Sequence, residues 1–325
     1  MAKRIQFNQH GGPEVLQLVE FEPAPPGPQQ VRVRNHAIGL NFIDTYFRSG
    51  LYAPPALPSG LGTEAAGVID AVGEGVSRLK VGDRVAYAGG PLGAYSEVHT
   101  LPEANVVMLP EAISFEQAAA VMLKGLTTQY LLKQTYAVQP GDFILFHAAA
   151  GGVGSLACQW AKALGAKLIG TVSSAEKAER AKALGAWATI DYSHEDVAKH
   201  VLELTDGQKC AVVYDGVGAD TWLTSLDCLR PRGLMVSFGN ASGAVTGVNL
   251  GILSQKGSLY VTRPTLGSYA NNAENTQAMA DDLFGMISSG KLVVDIQQRY
   301  PLSEAAKAQT ELSARRTVGS TVLLP

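Results

Sequence analysis

Cysteine is scarce in this 325-residue chain: Cys158, Cys210 and Cys228 are the only three, and none shares a short spacing with another. That excludes a disulfide framework and a zinc knuckle, and it fits a reducing cytoplasm, the expected location. The six histidines, at positions 10, 36, 99, 147, 194 and 200, show no ligand spacing, so no metal site is expected from them. Neither charge dominates. With 26 basic and 29 acidic residues the net charge is -3, which gives no general pull toward nucleic acid or an anionic membrane. Long apolar runs are missing too. The opening "MAKRIQFNQH" has no apolar segment behind its charges, so no signal peptide is expected. The longest apolar stretch is interrupted by His147 and glycines and reads as strand, turn and buried helix, not a membrane span.

What is present is a globular composition, 46% hydrophobic and 17% charged, in a chain long enough for two domains. The first hundred residues carry short apolar or alternating segments such as "VLQLVEF", "VRVRNHAIGL" and "AAGVIDAVG". Clusters such as "PAPPGPQQ" and "YAPPALPSG" separate them, the pattern of a compact β-rich domain. The texture changes near residue 114. "SFEQAAAVMLKGLTTQYLLKQT" has helical spacing, with Ser114 and Gln117 placed as a capping box. Strands and helices then alternate from "DFILFHA" to "GLMVSFG", which implies a parallel, doubly wound sheet. The string "AKALGA" occurs at 161 and again at 181; each copy ends a helix at Gly165 or Gly185 and does not make a repeat array. After residue 265 the texture is mixed and closes with "STVLL", a strand expected to complete a sheet begun earlier. Residues 1–124 and 265–325 are therefore expected to form one domain, with 125–264 inserted as a dinucleotide domain.

The segment "HAAAGGVGSLACQWAKALGA" places Ala149, Gly151 and Gly154 at the three small positions of a G-x-G-x-x-G turn, after a strand and before a helix. Small residues let backbone N–H groups approach a pyrophosphate, and the helix N-terminus adds roughly half a positive charge. Tight packing without a ligand is the competing reading. The next strand ends at Val172, where a chain reading an NAD ribose would carry an acid. Ser173, Ser174 and Lys177 stand there instead. Hydroxyls and a lysine suit a 2′-phosphate and favour NADPH, although Ser173 with Glu176 would also make a capping box. Tyr192 is placed to stack on the adenine side. Phe238, Gly239 and Asn240 follow a later strand and are candidate contacts or a turn that merely needs glycine.

In combination, "GLNFIDTYFRSG", "GTEAAGVIDAVGEGVSRLKVGDRV", "LKGLTT", "AAAGGVG" and "SFGN" resemble the medium-chain dehydrogenase/reductase superfamily. More closely they resemble its zinc-free NADPH:quinone oxidoreductase, or zeta-crystallin-like, branch. The resemblance runs from "HGGPEVL" to "STVLLP" and implies an α/β fold, a doubly wound Rossmann domain inserted in a β-rich GroES-like catalytic domain. Alcohol dehydrogenases of that superfamily hold zinc with a Cys and a His where this chain has Asn41 and Thr63, neither of which supplies the thiolate or imidazole that zinc prefers. Alcohol oxidation needs a base or Lewis acid for the hydroxyl proton; a quinone accepts hydride directly, which suits a site without metal. The resemblance further implies a substrate cleft between the domains lined by Asn41, Tyr46 and Tyr52, with Thr63 nearby. It implies nicotinamide or ribose contacts from Asn41, Lys124 and Thr127, a pyrophosphate on Gly151, Gly152, Val153 and Gly154, nicotinamide contacts from Thr262, Arg263 and Pro264, and a cationic contact from Arg315. It implies a homodimer paired through an edge strand such as "GSLYVT", since an exposed edge is a liability unless covered. The competing functions are an NADPH-dependent alkenal or enone reductase on the same scaffold, and a nucleotide-binding protein of crystallin or RNA-binding type with little catalysis. The charge balance argues against nucleic acid.

Overall fold

The computed structural model describes residues 1–314 and 316–325; Arg315 lies outside the described residues. The chain packs as two compact units, Met1–Leu126 with Tyr269–Pro325, and Thr127–Ser268.

The first unit is built on a seven-stranded sheet. Its centre is Gln30–Gly39, whose side chains alternate between core and surface over most of the strand, as a half-buried strand requires. Glu64–Val72 pairs with it antiparallel, and Arg84–Ala88 and Val106–Met108 continue the sheet from there. Val98–Pro102 also pairs with the central strand. On the central strand's other side lies the last strand of the chain, Ser320–Leu324, with Leu323 opposite Ile38. "STVLL" does complete a sheet begun nearly three hundred residues earlier, and Ile296–Pro301 lies parallel beyond it. A small second sheet joins Gln17–Phe21, Ala2–Phe7 and Ser59–Gly60. Ile5, Phe7, Val33, Ile38, Tyr87, Tyr95 and Leu323 lie in one core cluster of this unit. Helix Phe115–Tyr130 opens with the expected box: Ser114 N–H donates to Gln117 Oε1 at 3.0 Å, and Gln117 N–H to Ser114 Oγ at 3.2 Å.

The second unit has six parallel strands: Phe143–Phe146, Lys167–Val172, Ala188–Asp191, Cys210–Asp215, Leu229–Ser237 and Tyr260–Thr262. Numbered along the chain as one to six, they lie in the order 3-2-1-4-5-6. This is the doubly wound arrangement, whose ligand crevice opens at the carboxyl ends where the order reverses. Leu145, Ile169, Ile190, Val213, Leu226 and Met235 fill its core. Among the described residues the sixth strand pairs only with the fifth, and Tyr260 and Val261 are exposed. Among the described residues no helix is long and apolar enough to cross a membrane.

Candidate functional site

The glycine turn follows the first strand of the second unit. Ala148 takes a left-handed conformation, φ +54°, and its carbonyl accepts from Gly151 N–H at 2.9 Å. Helix Gly152–Ala163 starts at once, and no side chain among the described residues caps it. The next two helices of the unit are capped, by Ser174 and by Asp196. The first N–H groups of this helix thus have no side-chain acceptor among the described residues, the condition in which a helix start can take an anion. A Cβ at Gly154 would strike the Ala148 carbonyl oxygen and stand 2.7 Å from Ala149 Cα, so this close seat of helix on turn admits only glycine. The departure from the glycine pattern at Ala149 has a local reason. Gly170, on the second strand, would bring a Cβ to 2.5 Å of the Ala149 methyl; its lack of a side chain makes room for the alanine.

Past the second strand, Lys177 Nζ donates to Ser173 Oγ at 3.1 Å, so two of the three residues expected to take a 2′-phosphate meet. The helix cap differs from the expected Ser173–Glu176 box. Ser174 is the cap, its Oγ accepting from Lys177 N–H at 3.3 Å; the extended backbone at Ser174 points its hydroxyl back over the first turn, which leaves Ser173 free for Lys177. Tyr192 follows the third strand with its ring about half exposed. In the loop after the fifth strand, a Cβ at Gly239 would strike the Gly216 carbonyl, and the Phe238 ring lies 5.7 Å from that of Phe146. Arg263 reaches into this loop, donating from one nitrogen to Ser237 O at 3.0 Å and Gly239 O at 2.9 Å. It braces the backbone of Phe238–Asn240. Thr262 ends the sixth strand, and Pro264 is buried just after it.

In the first unit, Asn41 stands before helix Phe42–Ser49 and is 6% exposed. Its Nδ2 donates to Glu64 Oε2 at 2.5 Å. The other Glu64 oxygen accepts from Leu123 N–H at 2.6 Å, and Lys124 Nζ lies 3.5 Å from Oε2. Asn41 and Lys124 therefore meet on one fully buried carboxylate. Burial raises the pKa of Glu64, and the Lys124 ammonium opposes the rise. A second buried acid lies beside the first: Asp44 Oδ2 accepts from Asn41 N–H and from Tyr95 OH, each at 2.8 Å. Asp44 Oδ1 has no hydrogen-bond partner among the described residues, and burial lifts this carboxyl from 3.8 to about 7 against its two donors. Thr63, also buried, precedes Glu64. Tyr46 and Tyr52 pack edge to face, 5.3 Å between ring centres, and both are half-buried. Thr127, half-buried and on helix Phe115–Tyr130, is the first residue of the second unit.

These residues do not fit a zinc ion. Both Glu64 oxygens already have partners, the Asn41 amide is turned to donate, and among the described residues no three His, Cys, Asp or Glu gather to hold a metal. No local spacing in the sequence singles out Glu64, Asp44 or Tyr95. The available signal was an acid opening an otherwise apolar strand, "GTEAAGVI", since a buried charge needs partners.

Residues 27–111 match the family described as Alcohol dehydrogenase GroES-like domain, and residues 152–284 the family described as Zinc-binding dehydrogenase. The chain is 73% identical over 325 residues to a quinone oxidoreductase of Pseudomonas aeruginosa, covering 100% of both. A solved quinone oxidoreductase of Pseudomonas syringae superposes with a TM-score of 0.99 at 77% identity, covering 100% of both chains. The Escherichia coli quinone oxidoreductase solved in complex with NADPH superposes with a TM-score of 0.98 at 60% identity, again over 100% of both.

Proposed function

We propose, for a chain that belongs to the quinone oxidoreductase branch of the medium-chain dehydrogenase/reductase superfamily, that it is an enzyme that reduces quinones with NADPH and without a metal. The observation that supports this best is the uncapped helix at Gly152, seated on a turn that excludes a Cβ at Gly154 and followed by the Ser173–Lys177 pair. The residues fit the cofactor. Gly151, Gly152, Val153 and Gly154 would hold the pyrophosphate. Ser173, Lys177 and the hydroxyl proton of Ser174 would hold the 2′-phosphate, with Tyr192 toward the adenine. Phe238, Gly239, Asn240, Thr262, Arg263, Pro264, Lys124, Thr127 and Asn41 are assigned to the nicotinamide and its ribose. NADPH supplies a hydride when bound. Tyr46, Tyr52, Asn41 and Thr63 orient the acceptor through hydroxyl and amide hydrogen bonds, and water supplies the proton that completes the hydroquinone. Turnover of NADPH with a panel of quinones, alkenals and enones tests the reading; turnover only with the C=C substrates would replace it by the enone reductase.

Lys177→Ala is expected to raise KM for NADPH by tenfold to a hundredfold while leaving that for NADH nearly unchanged. The basis is one charge-assisted hydrogen bond to a group of about -1.5 to -2 charge, worth roughly 1.5–3 kcal/mol. Equal effects on both cofactors would make Lys177 a solvated helix residue.

Tyr46→Phe and Tyr52→Phe are each expected to slow quinone reduction by no more than about tenfold, the worth of one neutral hydrogen bond, ~0.5–1.5 kcal/mol. A thousandfold loss in kcat would identify an obligatory proton donor and refute protonation by water.

The enzyme is proposed to be a cytoplasmic homodimer. The exposed edge strand Tyr260–Thr262 supports this, because a second copy would cover its unpaired backbone groups. Sedimentation at micromolar concentration should give twice the chain mass, and a monomer would rule the dimer out.

A further inference from the structure

Four buried polar residues of the second unit, Thr171, His147, Ser225 and Asp215, form a line that the proposed reaction does not use. His147, 3% exposed, joins the first strand to the glycine turn. Its Nδ1 lies 3.0 Å from Thr171 Oγ1 and its Nε2 2.9 Å from Ser225 Oγ. Ser225 in turn lies 2.8 Å from Asp215 Oδ2. Asp215 also receives the Thr221 hydroxyl at 2.7 Å and the N–H groups of Val217 and Gly218 at 2.8 and 3.0 Å. At the far end Thr171 Oγ1 accepts from Ala148 N–H at 3.3 Å.

The proton positions follow from the two ends. Donors converge on the Asp215 carboxylate, which only accepts. Ser225 therefore gives its single proton to Asp215 and must accept from His147, so Nε2 carries the hydrogen. Burial lowers the pKa of His147 and keeps the ring neutral, which leaves Nδ1 bare. Nδ1 then accepts a hydrogen bond from the Thr171 hydroxyl, and the Thr171 oxygen is free to accept from Ala148 N–H. Every hydrogen bond in the line points the same way, an arrangement in which neighbours polarise one another. It ends on the one non-glycine residue of the turn with positive φ, a conformation that persists only where its surroundings hold it.

We propose that His147 is a positioning residue for the dinucleotide: as the neutral Nε2–H tautomer it couples Asp215, through Ser225 and Thr171, to the Ala148 amide and holds the turn in the shape a pyrophosphate requires. This rests on the assignment of the turn to the cofactor. The pyrophosphate is common to both nicotinamide dinucleotides, so the effect must be common too.

The test uses the full-length enzyme and its His147→Leu and His147→Gln variants. Dissociation constants for NADPH and NADH are read from nicotinamide fluorescence, KM and kcat from quinone reduction, and the wild-type tautomer from 15N NMR of the ring. His147→Leu should weaken both dinucleotides tenfold or more by the same factor, the change falling on KM and not on kcat. His147→Gln, which keeps one acceptor and one donor, should recover most of the loss, and Nε2 should be the protonated nitrogen. A Leu variant with a lower melting temperature but both constants within twofold of wild type would reduce His147 to a packing role and overturn the proposal. So would unequal effects on the two dinucleotides, or a proton on Nδ1. If the Leu variant fails to fold, failure of the Gln variant to bind better than threefold below wild type, or the wrong tautomer, overturns it equally. A wild-type enzyme that bound neither dinucleotide would sink the functional reading and this inference together, whereas the outcomes above sink this one alone.

Discussion

Asp44→Asn is expected to flatten the pH dependence of stability, relieving the enzyme of a loss of about 4 kcal/mol between pH 4 and pH 8. The carboxyl is raised from 3.8 to about 7 by burial, so the folded state prefers it protonated. Its favourable contribution is fully present below pH 3.8 and is lost as pH rises through about 7, where a charge must be held out of water. A rise of about three pH units at ~1.4 kcal/mol each gives the figure. Asparagine is the right probe. Its oxygen keeps the acceptor for Asn41 N–H and Tyr95 OH, and its amide occupies the side where Oδ1 now finds no partner among the described residues. Urea unfolding across this pH range makes the comparison, and parallel profiles for the two proteins would show that Asp44 ionises normally in the fold.

Gly154→Ala should weaken NADPH binding by up to a hundredfold. The added methyl meets backbone, the Ala148 carbonyl and Ala149 Cα, and no side-chain rotation relieves it. Either the helix lifts from the turn or the turn opens, and both move the N–H groups that the proposed function gives to the pyrophosphate. Forced overpacking of this kind costs typically about 1–3 kcal/mol, which at ~1.4 kcal/mol per decade gives the stated range. A fluorescence titration in which the variant binds NADPH within threefold of wild type would mean that the close seat of the helix is unrelated to the cofactor.

The elements themselves were readable where one local rule decides. Alternation in "VRVRNHAIGL" marks the central strand of the first unit, the Ser114–Gln117 spacing marks a helix start, and small residues between strand and helix mark the turn. What resisted reading depended on long-range pairing or on a choice between equal neighbours. Asn41 and Glu64 meet because the helix that follows Asn41 and the strand that Glu64 opens are brought together by the sheet, and nothing within 23 residues of sequence encodes that hydrogen bond. Ser173 and Ser174 each have a plausible partner three residues on; the backbone angles at Ser174 settle which one caps. The role of Arg263 as a brace for its neighbouring loop required the loop's carbonyls to be located first.

The opposition of Ala149 and Gly170 carries a historical consequence. With 2.5 Å between the alanine methyl and any Cβ at position 170, the two sites do not change independently. A lineage with a side chain at position 170 can admit alanine at 149 only after 170 has become glycine; in the other order the intermediate carries a clash beneath the glycine turn. The reverse journey has the same one-way gate, since position 170 can regain a side chain only once 149 has given up its methyl. Among descendants of such a sequence the pair is expected to covary, and the viable path between the alanine and glycine forms of the turn runs through the double glycine.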